Sequence, residues 1–289
     1  MVLEKTVVDS IRQRFSCRKY LDEPIAPEKR QKLIAYIASL PQGPFGGQAS
    51  FHLVSANETD RSALKDLGTY GFIHGATGFI VGATGIQAKS LEDYGYQMEQ
   101  IILYATSLEL GTCWLGGSFT RSSFAKKINA TDDACIPAVT AIGEIIDVQQ
   151  ARNGLLRRQI KADLRLPWEQ LFFNGQFGTA LGKQAAGDYA LALEMLRIGP
   201  SASNKQPWRV LRDGKAWHFY LQRTKGYREG SLTRFLGVAD IQRLDMGIAM
   251  CHFEQTAREI GLPGRWVAAQ PPIKMADEMT EYTVSWLEE

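Results

Sequence analysis

Apolar residues recur along this chain in two ways, as helix-spaced stripes and as short continuous runs. Between positions 28 and 40 they fall three or four residues apart, just after Pro27, which predicts an amphipathic helix. The segments 78–84 and 138–146 are short and almost wholly apolar, as is typical of buried strands. The same patterns predict helices over 7–14, 28–40, 60–67, 91–110, 185–198 and 240–260, and strands over 50–55, 78–84, 138–146, 208–212, 217–221 and 282–287. The sequence therefore predicts an α+β protein.

The order of the predicted elements recurs in the second part of the chain. A loop ending in glutamine precedes a strand at Gln48 and again at Gln206, an offset of 158 (206 − 48). A glycine ends the long helix at Gly111 and again at Gly261, an offset of 150 (261 − 111). Similar offsets predict a tandem duplication of one α+β unit. The alternative is two halves that are merely rich in helices and strands.

Composition and charge narrow the class of protein. The chain has 289 residues, of which 45% are hydrophobic and 22% charged, so it has the make-up of an ordinary globular protein of about two domains. The net charge of +2 gives no reason to expect nucleic acid or an acidic membrane as a partner. The apolar runs are shorter than the roughly 20 residues of a membrane span, and charge appears early in the chain. We therefore expect a cytoplasmic protein.

Cysteine and histidine usage favours neither disulfides nor a metal. The four cysteines are far apart and form no CxxC pair, and the four histidines show no HExxH spacing. The sequence therefore predicts neither a disulfide framework nor a metal site.

A short basic segment is the first candidate for chemistry. Arg14-Phe-Ser16-Cys-Arg18 places two guanidinium groups and a hydroxyl within five residues. Arginine offers a fork of donors to phosphate oxygens, and serine adds a short hydrogen bond, so the segment suits a phosphate monoester. A solvated basic turn is the alternative interpretation.

Two loops are further candidates. The loop that runs from Pro200 through Ser201 and Asn204 to Trp208 is rich in small polar residues, and its amides could read the edge of a heterocycle. Gly116 and Gly117 would let the backbone approach a ligand closely. The alternatives are an ordinary helix-capping turn and a plain loop.

Together these segments resemble the nitroreductase family of FMN-dependent oxidoreductases. The resemblance lies in Arg14–Tyr20 with Pro24-Ile25, in Pro200–Trp208, and in the long helix that ends at 108–111. It covers most of the chain in two instalments, as in the single-chain variety in which two family-type units are fused. It implies an α+β sandwich forming an intramolecular pseudo-dimer, with a first half over 1–150, a connecting arm over 151–186 and a second half over 187–289.

The resemblance also implies roles for individual residues. Arg14, Ser16 and Arg18 match the positions that hold the FMN phosphate and ribityl chain, and Arg165 matches a basic position that also reaches the phosphate. Gly116 and Gly117 match the positions that offer backbone N–H groups to the flavin N5 edge. The remaining matches, in the loop supplied by the other half, are Pro200, Ser201 and Asn204.

Each half lacks a motif that the other retains. The first-half loop 41–51 keeps Gln48 but has no Ser/Asn set, and the second half has no RxSxR before its loop. We therefore expect one FMN per chain, at the interface of the halves.

The resemblance implies that electrons pass from NAD(P)H through the flavin to a nitroaromatic, quinone or similar small acceptor. NAD(P)H would bind only transiently, and the resemblance implies no catalytic side chain. Because the dimer would be internal, a monomer is expected. The alternative is a non-catalytic sensor or carrier, with or without flavin, on a degenerate nitroreductase fold.

Overall fold

The structure is a computed structural model that describes residues 5–57, 60–117, 119–131, 133–145, 164–227 and 239–289. Its α-helices are α1 (Val7–Gln13), α2 (Pro27–Ala38), α3 (Ser90–Ser107), α4 (Arg121–Lys127), α5 (Ala190–Arg197) and α6 (Ile241–Glu259). Its strands are β1 (Ser50–Ser55), β2 (Gly78–Ala83), β3 (Gly111–Leu115), β4 (Val139–Gly143), β5 (Phe172–Asn174), β6 (Gln176–Ala180), β7 (Trp208–Asp213), β8 (Ala216–Gln222), β9 (Gly264–Val267) and β10 (Thr280–Glu288). The predicted boundary at 150/151 lies outside the described residues.

Two sheets share one topology. The first sheet has the antiparallel order β1-β2-β4-β3, and the second contains the same order as β7-β8-β10-β9. In both halves the long helix, α3 or α6, connects the second strand to the third. This repeated order confirms the predicted α+β duplication.

The two copies differ in their connections. Residues 56–77 join β1 to β2, whereas Gly214 and Lys215 alone join β7 to β8 in a hairpin. Gly214 has φ +56°, a conformation that glycine adopts without steric cost. The Asp213-Gly214 pair therefore forms the tight turn that is typical of hairpins. Beyond β7, the second sheet is extended by β5, which pairs with β7 in parallel, and by β6.

The halves meet where α3 packs against α6. A Cβ atom on Gly95 would lie 2.3 Å from the Leu244 carbonyl oxygen, and one on Gly247 would lie 2.0 Å from the Glu92 carbonyl oxygen. The two glycines are 152 positions apart in the sequence (247 − 95), and so are the two residues that they contact, Leu244 and Glu92 (244 − 92). The contact therefore repeats itself about a pseudo-twofold axis, and it requires glycine in each helix because the two backbones touch.

The helix-ending glycine of the first half was predicted wrongly. Gly111 begins β3, and the left-handed residue after α3 is Glu109, with φ +64°. In the second half Gly261 does hold this position, with φ +77°. In both places the N–H of the left-handed residue and the N–H of the residue after it donate to carbonyls of the last helical turn, as in a Schellman motif. The matched positions are therefore 152 apart (261 − 109), the same offset as in the interlocked helices.

Candidate functional site

The basic segment lies along the edge of the first sheet. The Arg14 amide donates to the Ser10 carbonyl at the end of α1 (2.9 Å), and the chain then becomes extended. Ser16 forms a parallel bridge with Thr112 of β3, and the Cys17 amide donates to the Thr112 carbonyl (2.8 Å). Because β3 is the last strand of its sheet, this pairing covers the free edge and fixes the direction of the segment.

Arg14 is drawn into the interface between the halves. Its side chain is 6% exposed, and its Nε lies 3.7 Å from Oε1 of the fully buried Glu99 on α3. Glu99 Oε1 also lies 2.9 Å from Nε2 of His252 on α6, while Trp114 Nε1 donates to Glu99 Oε2 (2.7 Å). These contacts link the basic segment of the first half to a helix of the second.

The Glu99 carboxyl is held in its ionised form. Burial alone raises the pKa of this group, but the His252 hydrogen bond and charge, the Arg14 charge and the Trp114 hydrogen bond outweigh it and lower the pKa below its ordinary value. Both nitrogens of His252 face acceptors, since Nδ1 lies 2.9 Å from the Met195 carbonyl oxygen. His252 therefore bridges the Glu99 carboxylate and the backbone of α5.

Arg18 carries an unused donor. Its Nη1 atom is buried and has no hydrogen-bond acceptor within the described parts of the chain. Its backbone carbonyl accepts from the His74 amide (2.9 Å). A buried guanidinium nitrogen without an acceptor is costly, and an anionic oxygen is the partner that would satisfy it.

The loop before β7 gathers several predicted residues. The Gln206 amide donates to Ser201 Oγ (2.8 Å), and Asn204 Nδ2 donates to the Leu164 carbonyl (2.9 Å). Arg165 Nη1 donates to Asn204 Oδ1 (3.3 Å). The structure therefore brings together Arg165, Ser201 and Asn204, which sequence reasoning had placed in one site.

The same loop has an uncommon backbone. Ser203, Asn204 and Gln206 have φ values of +49°, +55° and +50°. Side-chain-bearing residues rarely adopt this region, and such conformations cluster at ligand sites. Pro200 stands at the start of the loop, after α5.

A buried carboxyl supports this loop from α6. The Ala202 amide donates to Asp245 Oδ1 (3.0 Å), and burial raises the pKa of Asp245 to about 8. In the first half, Asp93 accepts from the amides of Phe45 (2.9 Å) and Gly47 (2.7 Å). The offset is again 152 (245 − 93), so each half ties its loop to its long helix with an equivalent aspartate.

The glycine pair lies where β3 approaches the second half. Arg121 Nη2 donates to the Gly116 carbonyl (3.0 Å), and a Cβ on Gly116 would lie 3.1 Å from Ile241, the first residue of α6. A Cβ on Gly117 would meet nothing within 4 Å. The backbone at Gly117 is therefore open to an approaching molecule.

The predicted residues therefore fall into three local groups. These are the basic segment on β3, the glycine pair beside α6, and the cluster of Arg165 with the loop before β7. Glu99 and His252 connect the first group to the second half. A cavity of about 300 Å³ also reaches Arg14 from the side of Lys5 and Lys29, but its lining residues all belong to the first half.

Sequence reasoning missed Glu99, His252 and Asp245 as members of this region. The available signal was the presence of charged residues inside two helices that are otherwise buried over nearly their whole length. Charged groups are seldom fully buried unless paired. Along the described helices, none is long and apolar enough to cross a membrane.

The fold defines the class: two copies of one α+β unit packed through their long helices, with a basic segment on one copy and an amide-rich loop on the other. The chain belongs to the family described as "Putative TM nitroreductase", whose model matches residues 6–257. This membership confirms the resemblance noted from the sequence, and it does not favour the non-catalytic alternative. A search of curated proteins found no match.

Solved structures of similar proteins include a nitroreductase-like protein from Thermotoga maritima. It is 19% identical, and the match covers 99% of this chain and 95% of that one with a TM-score of 0.61. The two proteins therefore share one fold over their full length. A Desulfovibrio desulfuricans protein solved with FMN is 22% identical over 50% of this chain and 88% of its own, with a TM-score of 0.40. A nitroreductase family protein from Clostridium difficile is 16% identical over 55% and 92%, with a TM-score of 0.41.

Proposed function

We propose that this chain is an FMN-dependent oxidoreductase that passes electrons from NAD(P)H to a nitroaromatic, quinone or similar small acceptor. The flavin would lie between the halves, with one flavin per chain. Family membership supports the class of reaction. The observation that carries the cofactor assignment is the buried Arg18 Nη1 without an acceptor, because it marks a place for an anionic oxygen inside the basic segment.

The basic segment would hold the phosphate end of the cofactor. Arg14, Ser16 and Arg18 supply charge and short hydrogen bonds there, and pairing with β3 keeps the segment extended. Arg165 would reach the same region from the loop cluster of the second half. A charged hydrogen bond contributes about 1.5–3 kcal/mol, so loss of one arginine should be measurable in binding.

The second-half loop would hold the ring system. Ser201 and Asn204 present a hydroxyl and an amide from a backbone that is already bent, with Pro200 fixing the loop's entry. Gly117 would let backbone N–H groups come close to the ring. Bound FMN supplies the redox chemistry, and the chain orients it and shields it from water.

A single site follows from the asymmetry of the halves. The first-half loop offers the amides of Phe45 and Gly47 to Asp93 and contains no serine or asparagine to replace Ser201 and Asn204 between Pro41 and Gln48. The monomeric state, the cytoplasmic location and the nature of the acceptor stay predictions from the sequence.

A visible absorption spectrum tests the proposal. The purified protein is incubated with FMN, desalted and scanned, and the flavin is quantified against the chain. We expect about one flavin per chain, and bleaching on addition of NADH or NADPH that is reversed by menadione or nitrofurazone. A protein that stays colourless, or a flavin that neither nucleotide reduces, would contradict the proposal.

Arg18→Gln tests the cofactor assignment, with the neighbouring exposed Lys19→Gln as its control. Because Arg18 would lose its phosphate contact, we expect FMN affinity to fall about 10- to 100-fold in the arginine variant. The lysine variant should bind FMN as the wild type does. Equal affinities in the two variants would remove Arg18 from the site.

A further inference from the structure

The pseudo-twofold axis between α3 and α6 relates residues that differ in charge. With the offset of 152, Glu99 corresponds to Cys251 and Gln100 corresponds to His252. The contact between Glu99 and His252 therefore has a counterpart position occupied by Gln100 and Cys251. A carboxylate in contact with a histidine stands on one side of the axis, and an amide and a thiol stand on the other.

Within the described part of the chain, Gln100 and Cys251 have fewer polar partners than Glu99 and His252. Gln100 Oε1 is buried and has no hydrogen-bond donor among the residues that the structure describes, and Cys251 is a buried free thiol. On the charged side the Glu99 carboxylate contacts three donors: His252, Trp114 and Arg14. The Glu99–His252 pair thus stands on the side of the axis where the basic segment lies next to it.

The geometry of Arg14 suggests what this pair does. Its contact with Glu99 is made by Nε at 3.7 Å, longer than a hydrogen bond, so the carboxylate acts on Arg14 as a nearby charge. Burying a carboxylate is costly unless it is paired, and here His252 and Trp114 fix its position by direct hydrogen bonds. The buried Arg14 side chain thus lies beside a carboxylate whose own position is fixed.

We infer that the Glu99–His252 pair positions Arg14 for recognition of the cofactor's phosphate, and that this pair makes one side of the pseudo-dimer the phosphate-binding side. The inference rests on the proposed function and extends it to residues outside the basic segment. Glu99 and His252 are positioning residues, because they act through Arg14 and reach across the boundary between the halves.

The test compares two flavins that differ only in the phosphate. Dissociation constants for FMN and riboflavin are measured by flavin fluorescence on the full-length protein, and their ratio reports phosphate recognition. Glu99→Gln should lower the FMN preference about tenfold with riboflavin affinity unchanged, since Arg14 loses its fixed position. A general loosening of the fold would weaken the binding of FMN and of riboflavin equally.

Glu254→Gln is the matched control. Glu254 is a buried carboxylate at the same helix contact, where it accepts from Tyr96 (2.7 Å) and Trp266 (2.6 Å). It also accepts from Arg258 (2.7 Å). None of its contacts among the described residues is with Arg14, so its replacement should leave the FMN preference unchanged. In an Arg14→Gln background, Glu99→Gln should add no further loss.

His252→Gln provides a second route if Glu99→Gln does not fold. It replaces the imidazole that contacts both Glu99 and the Met195 carbonyl, so Glu99 loses its fixed position and the FMN preference should again fall. If Arg14→Gln loses the preference but the Glu99 and His252 variants keep it, the inference is wrong and the proposed function stands. If the wild-type protein binds neither flavin, both are wrong.

Discussion

Asp93 and Asp245 occupy equivalent positions in the two halves but have unequal surroundings. Asp93 accepts two backbone N–H groups, whereas Asp245 accepts one. Asp245 Oδ2 is buried and has no hydrogen-bond donor within the described chain. Burial raises the pKa of both carboxyls, that of Asp245 to about 8. The second-half loop is thus supported by a carboxyl that stays largely protonated near neutral pH.

Asp245 should make stability depend on pH. Its pKa is about 8 in the folded protein and about 4 in the unfolded chain. Its stabilising contribution is therefore fully present below about pH 4 and is lost as the pH rises towards 8. Asp245→Asn stays neutral throughout, so wild-type stability should fall relative to this variant by up to about 1.4 kcal/mol per pH unit.

Urea unfolding at several pH values between about 5 and 8 measures this difference. The exposed Asp188→Asn is the control, and it should follow the wild type at every pH. If the difference in unfolding free energy between wild type and Asp245→Asn is the same at both ends of this range, the raised pKa of Asp245 is wrong.

The sequence predicts the local part of the proposed site and does not predict the part that depends on distant contacts. Arg14, Ser16 and Arg18 are close in the chain, and their residue types predict a phosphate site, with a solvated basic turn as the alternative. Glu99 meets His252 from 153 residues away, and no local pattern reports such a pairing. Each appears in sequence as a polar residue in an apolar helix, for which solvent exposure is the ordinary expectation.

Among elements, the strength of the local apolar pattern decided which ones could be predicted. The long helices and the central strands were found because their apolar patterns extend over many residues. The strands β3, β5 and β9 have five, three and four residues, and each is stabilised by a neighbour that the local sequence does not identify. The interval 60–67 was predicted to be helical but contains a single 3₁₀ turn, Ser62–Leu64.

The glycine contact between α3 and α6 allows a prediction about the packing of these two helices. Gly247→Ala would place a methyl group 2.0 Å from the Glu92 carbonyl oxygen, and backbone atoms cannot rotate away as a side chain can. We expect a loss of about 1–3 kcal/mol or more in unfolding free energy. Gly182→Ala is the control, because nothing lies within 4 Å of its added methyl group. Equal unfolding midpoints in urea would contradict the close packing of the helices.

At the scale of the whole molecule, the two halves form one structure through several kinds of contact. The long helices interlock, the Glu99–His252 pair crosses the boundary, and the Val8 amide donates to Glu259 Oε1 (3.2 Å) at the end of α6. The strand β5 pairs with β7, so the later part of the connecting arm belongs to the second sheet. A site made from both halves therefore needs their association and not the peptide link itself.

Two co-expressed fragments, 1–150 and 151–289, should therefore copurify as a one-to-one complex when only one carries an affinity tag. Interfaces of this kind are extensive and apolar and remain associated without a covalent link. The complex should also bind flavin as the intact chain does, since each fragment brings its own share of the proposed site. Gly247→Arg in the second fragment should abolish copurification, because its side chain cannot fit against the backbone of α3. Fragments that elute separately as folded monomers would show that the halves are independent domains and that a flavin site between them depends on the tether.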